Sequence, residues 1–258
     1  MLIESISQWP SSLAMLQDIF NAPSGADIAK IIMRWTHFVA GITWIGMLYF
    51  FNLVNVNFMK ALDAPTKKVV VPELMPKALW YFRWGALVTV LAGLGYYAMY
   101  ILRGDAHNAG ANVWVLLLVW MVIAVVTWAI YNFGLLGALS KDGRILALAV
   151  IVLVVLMSAV IVWFLDSRLV GSDGNHWASN KTLSIGIGGA LGLIMLLNVW
   201  GIIWPAQKRI IAATREGTPP PADLARRAFL ASRTNAWMSL PMLFFMATSH
   251  GDWVIFGK

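Results

Sequence analysis

Cysteine is absent from the 258 residues of the chain. Its absence excludes disulfides, Cys-ligated metal, iron–sulfur clusters and the C-x-x-C-H attachment of covalent haem, and leaves open a non-covalent haem held by histidine. Charge is scarce too. Charged residues make up 12% of the chain and hydrophobic ones 60%, whereas a soluble domain is about 25% charged. The central parts of the apolar runs hold no Asp or Glu, and no inverted repeat is visible, which argues against an ion-coupled transporter. The start, MLIESISQWP, lacks a basic n-region and carries Glu4, so no signal peptide is expected. The glycines of SIGIGGALG (184–192) follow no strand and lie in an apolar run. They suit close helix contact rather than a phosphate loop.

What the chain does have is long apolar runs. Six are long enough to cross a hydrocarbon core of about 30 Å, which takes about 20 helical residues: roughly 28–58, 79–102, 112–139, 145–165, 182–204 and 236–256. The fourth is apolar all round and suits a lipid-facing helix. The sixth is interrupted by Pro241 and carries Ser249, His250 and Asp252. The expected fold is therefore all-α, a polytopic membrane helix bundle with about six transmembrane helices forming one domain over 28–258.

The basic residues set its orientation. Of 19 Lys and Arg, 13 fall in three alternate loops: Lys60, Lys67, Lys68, Lys77 and Arg83; Lys141 and Arg144; and Lys208, Arg209, Arg215, Arg226, Arg227 and Arg233. The other six are Lys30, Arg34, Arg103, Arg168, Lys181 and Lys258. The positive-inside rule makes the first set cytoplasmic and puts both termini outside, periplasmic in a bacterial inner membrane. The formal charge of +7 is then a feature of these loops, and no nucleic-acid partner is expected. Residues 1–27 form a separate N-terminal segment. Within it Leu2, Ile6, Trp9, Leu13, Leu16 and Phe20 make one helical stripe, as on an amphipathic helix lying on the interface or packed on the bundle end. In the long inner loop, Pro219, Pro220 and Pro221 stop any helix, and Asp223 stands where the next N-cap would be.

All four histidines fall on the outer side. His107 and His176 read as solvated loop residues. His37 lies inside helix one, roughly 10–14 Å from its outer end at about 1.5 Å per residue. His250 lies near the outer end of helix six, at similar depth. Two histidines on different helices in one leaflet suit axial ligation of one haem iron; each also suits a plain interhelical hydrogen bond. Arg34, one turn before His37, either snorkels to the interface or pairs a haem propionate or substrate anion. Toward the inner side, Asn52, Asn55, Asn57, Asn132 and Asn198 serve either as glue between helices or as the lining of a polar substrate cavity. Trp35, Trp44, Trp120, Trp128 and Trp200 lie deep enough to pack a core or a flat ring.

Four strings carry a family resemblance: RWTHFVAGITWIGMLYFFN (34–52), MPKALWYFRWGA (75–86), NVWGIIWPAQKRII (198–211) and ASRTNAWMSLPMLFFMATSH (231–250). Together they resemble the membrane domain of the bacterial membrane-bound, cytochrome-c-linked urate oxidases, also called urate hydroxylases. The resemblance covers about residues 30–250. It implies oxidation of urate to 5-hydroxyisourate in purine breakdown, with electrons passed to a c-type cytochrome on the outer face. Longer relatives carry that cytochrome as a C-terminal domain, so here a separate protein is the expected partner. The expected cofactor is haem b on His37 and His250 with Arg34 at a propionate, and the candidate substrate contacts are Asn132, Asn198 and Trp200. Two other functions stay open: a non-catalytic anchor or accessory subunit of a respiratory complex, and a haem- or copper-linked protein. The latter follows from the His and Trp-Ile-Gly of helix one, which also resemble membrane protoporphyrinogen oxidases and copper-resistance proteins.

Overall fold

A computed structural model of the protein describes residues 23–250 and 254–257. The interfacial helix expected over residues 1–20 lies outside them, as do Asp252, Trp253 and Lys258. The described residues form six long helices and no named strand: α1 Gly25–Ala61, α2 Ala64–Asn108, α3 Val113–Ala138, α4 Gly143–Arg168, α5 Asn180–Glu216 and α6 Ala222–Thr248. The chain is thus all-α, with helices suited to a membrane bundle.

Five of the six starts are written locally. The side chains of Ser24, Asp63, Asn112, Asp142 and Ser179 each accept from a first-turn N–H, satisfying donors that a helix end leaves orphaned. At exposed Asp63, hydrogen bonds from Thr66 hold the carboxyl below its ordinary value. The sixth start differs from expectation. Pro221 occupies the cap and offers no side-chain acceptor, while Asp223 lies inside the first turn. Proline's fixed φ suits a helix entrance, so α6 begins directly after the third proline.

Helix lengths also depart from the apolar runs, because helix formation continues where apolarity stops. α5 runs on past the expected end at 204 to Glu216, closing on left-handed Gly217 at φ 76°. Residues 205–216 therefore continue a helix rather than open a loop. α6 passes through Pro241 unbroken and ends at Thr248, short of 256. α1 to α5 are long and apolar enough to cross a membrane. α6, at 27 residues, has the length, about 40 Å, but its first half carries Arg226, Arg227 and Arg233. It is the one of the six expected spans that falls short in composition.

α5 is the central helix, almost wholly buried from Thr182 to Leu196 against its neighbours. α4 leaves Leu148, Val155 and Trp163 exposed, as its all-apolar sequence implies. At one end of the bundle, Asp105 at the end of α2 accepts from Ser179 N–H at 2.8 Å, and Asn180 donates to the Thr248 carbonyl at the end of α6 at 2.9 Å. At the other, Asn52 donates to Ser232 Oγ at 3.0 Å, and Arg226 clamps the α3–α4 turn through the carbonyls of Ser140 and Lys141. Four helices include a π-helical segment, Phe50–Asn55, Tyr97–Leu102, Ile130–Leu135 and Val199–Ile203. The widened turn changes which residues face the core; Asn52, Tyr97 and Asn132 lie in such segments and are buried.

The bundle's midsection is held by a polar relay. Trp128 Nε1 donates to Asn198 Oδ1 at 3.0 Å, Asn198 Nδ2 to Asn235 Oδ1 at 2.8 Å, and Asn235 Nδ2 to the Met195 carbonyl at 3.0 Å. Both asparagines are fully buried. Asn235→Leu would leave the Asn198 amide without its acceptor in an apolar core. We expect a loss of about 1–2 kcal/mol, read as a lowered unfolding midpoint in detergent; an unchanged midpoint would show the relay to be energetically idle.

Candidate functional site

A cavity of about 630 Å³ opens near the Ser179 end of the bundle, lined from α1, α2, α3, α5 and α6. His37, His250 and Arg34 all line it, so the two histidines singled out in the sequence meet at one space. Its walls are otherwise almost entirely apolar.

His37 is held from α2. Its Nδ1 lies 2.8 Å from the Thr89 carbonyl. A carbonyl can only accept, so Nδ1 carries a proton, and the neutral ring then has its lone pair on Nε2. This is the arrangement that fixes the tautomer of a metal-ligating imidazole. The imidazole fits because residue 93 is glycine: a Cβ there would stand 2.7 Å from His37 Nδ1 and 2.8 Å from Cε1. The Thr89 hydroxyl donates to the Gly85 carbonyl at 2.6 Å, which keeps it away from the ring.

His250 lies just past the end of α6, with Nδ1 2.6 Å from Ser249 Oγ. Arg34 is near enough for its charge to bear on the His250 imidazole. Its guanidinium lies 5.9 Å from the Phe38 ring centre, and it has no carboxylate partner among the described residues.

The back wall is aromatic and pinned. Tyr97 Oη donates to the Thr182 carbonyl at 3.1 Å and Trp120 Nε1 to the Gly186 carbonyl at 2.8 Å; their rings lie 5.6 Å apart. Trp44 also lines the cavity, and its buried indole N–H finds no acceptor among the described residues. Gly41, Gly46, Gly189 and Gly192 thin the walls, and Met242 and Met246 add soft thioethers. Phe38, Ile42 and Leu243, which border the space from α1 and α6, are themselves exposed. The cavity therefore opens sideways between those two helices.

Trp44 and Trp120 were among the deep tryptophans read as able to pack a core or a flat ring, whereas Thr89, Gly93, Tyr97 and the two methionines were not among the sequence candidates. A signal existed for two of them: Thr89 and Gly93 are four residues apart and so share a helix face. The pairing of that face with His37 is tertiary and has no local mark.

The three candidate substrate contacts do not come together. Asn198 spends its amide in the relay. Trp200 donates to the Arg83 carbonyl at 3.2 Å and stacks edge-on with Trp84. Asn132 alone borders open space, a second cavity of about 400 Å³ at the other end of the bundle. His107 is exposed in the last turn of α2, and His176 pairs with Asp166 at 3.1 Å. Among the described residues no group of three or more His, Asp or Glu is placed to hold a metal ion.

Fold and site define an all-α bundle of long apolar helices enclosing a histidine-flanked cavity. The chain belongs to the urate oxidase N-terminal family, whose model matches residues 61–257. The match takes in α2 to α6 and His250; His37 and Arg34 on α1 precede it. No curated protein and no solved structure matches the chain. Membership of the family points to a urate-related oxidoreductase, and the long apolar helices are compatible with a membrane bundle.

Proposed function

We propose that this protein oxidises urate to 5-hydroxyisourate and delivers the electrons to a c-type cytochrome, through a b-type haem in the His37–His250 cavity. The observation that carries the reading is the orientation of His37. Its Nδ1 is committed to the Thr89 carbonyl, which leaves Nε2 as a lone-pair donor at a space of about 630 Å³. The residues fit a flat, largely apolar macrocycle with anionic edge groups. His37 and His250 would hold the iron, Arg34 would meet a propionate, and the glycine-thinned walls with Tyr97 and Trp120 would pack the ring.

Bound there, haem would supply a one-electron redox centre. Urate and water give 5-hydroxyisourate, two protons and two electrons, so each turnover calls for two one-electron deliveries. The chain's part is to fix the imidazoles, neutralise the propionate and keep water from the ring. The basic-loop asymmetry supports a cavity in the outer half of a bacterial inner membrane with both chain ends periplasmic, the side on which a cytochrome would dock. The test is the reduced-minus-oxidised visible spectrum of the purified protein, followed by urate-dependent reduction of added cytochrome c. A haem spectrum with urate-dependent reduction is expected; a protein free of haem after expression with haem supplementation would refute the cofactor reading.

A further inference from the structure

At the end of the bundle opposite the histidines, α3, α5 and the first two turns of α6 border the second cavity of about 400 Å³. Two guanidinium groups line it, Arg209 from α5 and Arg227 from α6. Arg227 is fixed, donating to both the carbonyl and the side-chain oxygen of Asn132. Neither arginine has a carboxylate partner; the ion pairs among the described residues are Lys77–Glu73 and His176–Asp166. Two like charges in one groove repel each other, and an anion between them relieves that repulsion. The first turn of α6, which contributes Leu224 to the lining, adds the positive end of its dipole, and Pro221 gives it no side-chain cap. The mouth is of another kind. Phe133 is 75% exposed, with Gly201 and Pro205 also exposed beside it. The groove joins a cationic head to an apolar, sideways opening.

We propose that this groove binds the phosphodiester headgroup of an anionic phospholipid of the inner leaflet, with the acyl chains running over Phe133. The inference rests on the orientation given above and is independent of haem and of urate chemistry. Arginine forks match phosphate oxygens in pairs, and basic pockets between helices on the cytoplasmic side suit lipid headgroups. A soluble anion would meet the same guanidiniums but gain nothing from the apolar mouth.

The test uses the full chain, purified in neutral detergent and offered phosphatidylglycerol or phosphatidylcholine, with bound lipid read by native mass spectrometry. Phosphatidylglycerol should be retained about tenfold over phosphatidylcholine. Arg209→Gln removes an exposed group that makes no hydrogen bond or ion pair within the described fold, and it should abolish most of that preference without shifting the unfolding midpoint of delipidated protein. Equal retention of the two lipids, or an unchanged preference in Arg209→Gln, overturns the proposal. Displacement of phosphatidylglycerol by millimolar inorganic phosphate or urate also overturns it, in favour of a soluble anion.

Discussion

His37→Ala is expected to strip the protein of haem, cutting the reduced-minus-oxidised spectrum to less than about a tenth of the wild-type amplitude, since even outer-shell partners of a metal site matter by about 10–100-fold. The fold should survive. His37 is half-buried, and its one interhelical bond among the described residues, to the Thr89 carbonyl, is worth about 1 kcal/mol. Circular dichroism and the unfolding midpoint of the haem-free proteins should therefore stay close together. Full haem retention in the variant would show that His37 is not an iron ligand and would move attention to His250 and the methionines Met242 and Met246. The same preparation reports on catalysis, because urate-dependent cytochrome c reduction should fall with the haem.

Gly93→Val should nearly reproduce that loss without touching a histidine. The valine Cβ would fall 2.7 Å from His37 Nδ1, closer than real contacts allow. The imidazole must shift, breaking its bond to the Thr89 carbonyl. We expect haem affinity to drop by about 10–100-fold. Gly104→Ala, on the same helix where a Cβ meets nothing within 4 Å, should leave haem unchanged and so control for the loss of a helical glycine. Haem content in Gly93→Val equal to that of Gly104→Ala would mean that the imidazole's seating does not govern the site. His37→Ala tests the ligand; Gly93→Val tests its placement.

Much of this was legible in the chain itself. The apolar runs gave the long helices, because an apolar surrounding acts on composition directly. His37 and His250 could be matched by depth, since rise per residue is fixed. The ends of helices were less legible. Asp223 looked like a cap, but Pro221 starts α6 first, and α5 outruns its apolar stretch through WPAQKRII and beyond. Asn132, Asn198 and Trp200 looked alike as polar or aromatic groups in helices. What separates them is which neighbour each reaches, and the π-helical segments shift those faces in a way that a steady 3.6-residue period does not register. The Thr89–Gly93 seat for His37 is a meeting of α1 with α2 some fifty residues apart, a relation that no local pattern carries.

The relation of α1 to α6 has a mechanical meaning. Asn52 reaches Ser232 and Tyr49 Oη lies 3.0 Å from Ser239 Oγ, whereas further along the same two helices the cavity stands between them, with Ile42 and Leu243 exposed at its mouth. The pair works as a clothes-peg, pinched at one end and parted at the other. Such a geometry favours entry from the side: a flat guest would come in edge-on between the parted ends, its thickness setting how far the jaws stand apart.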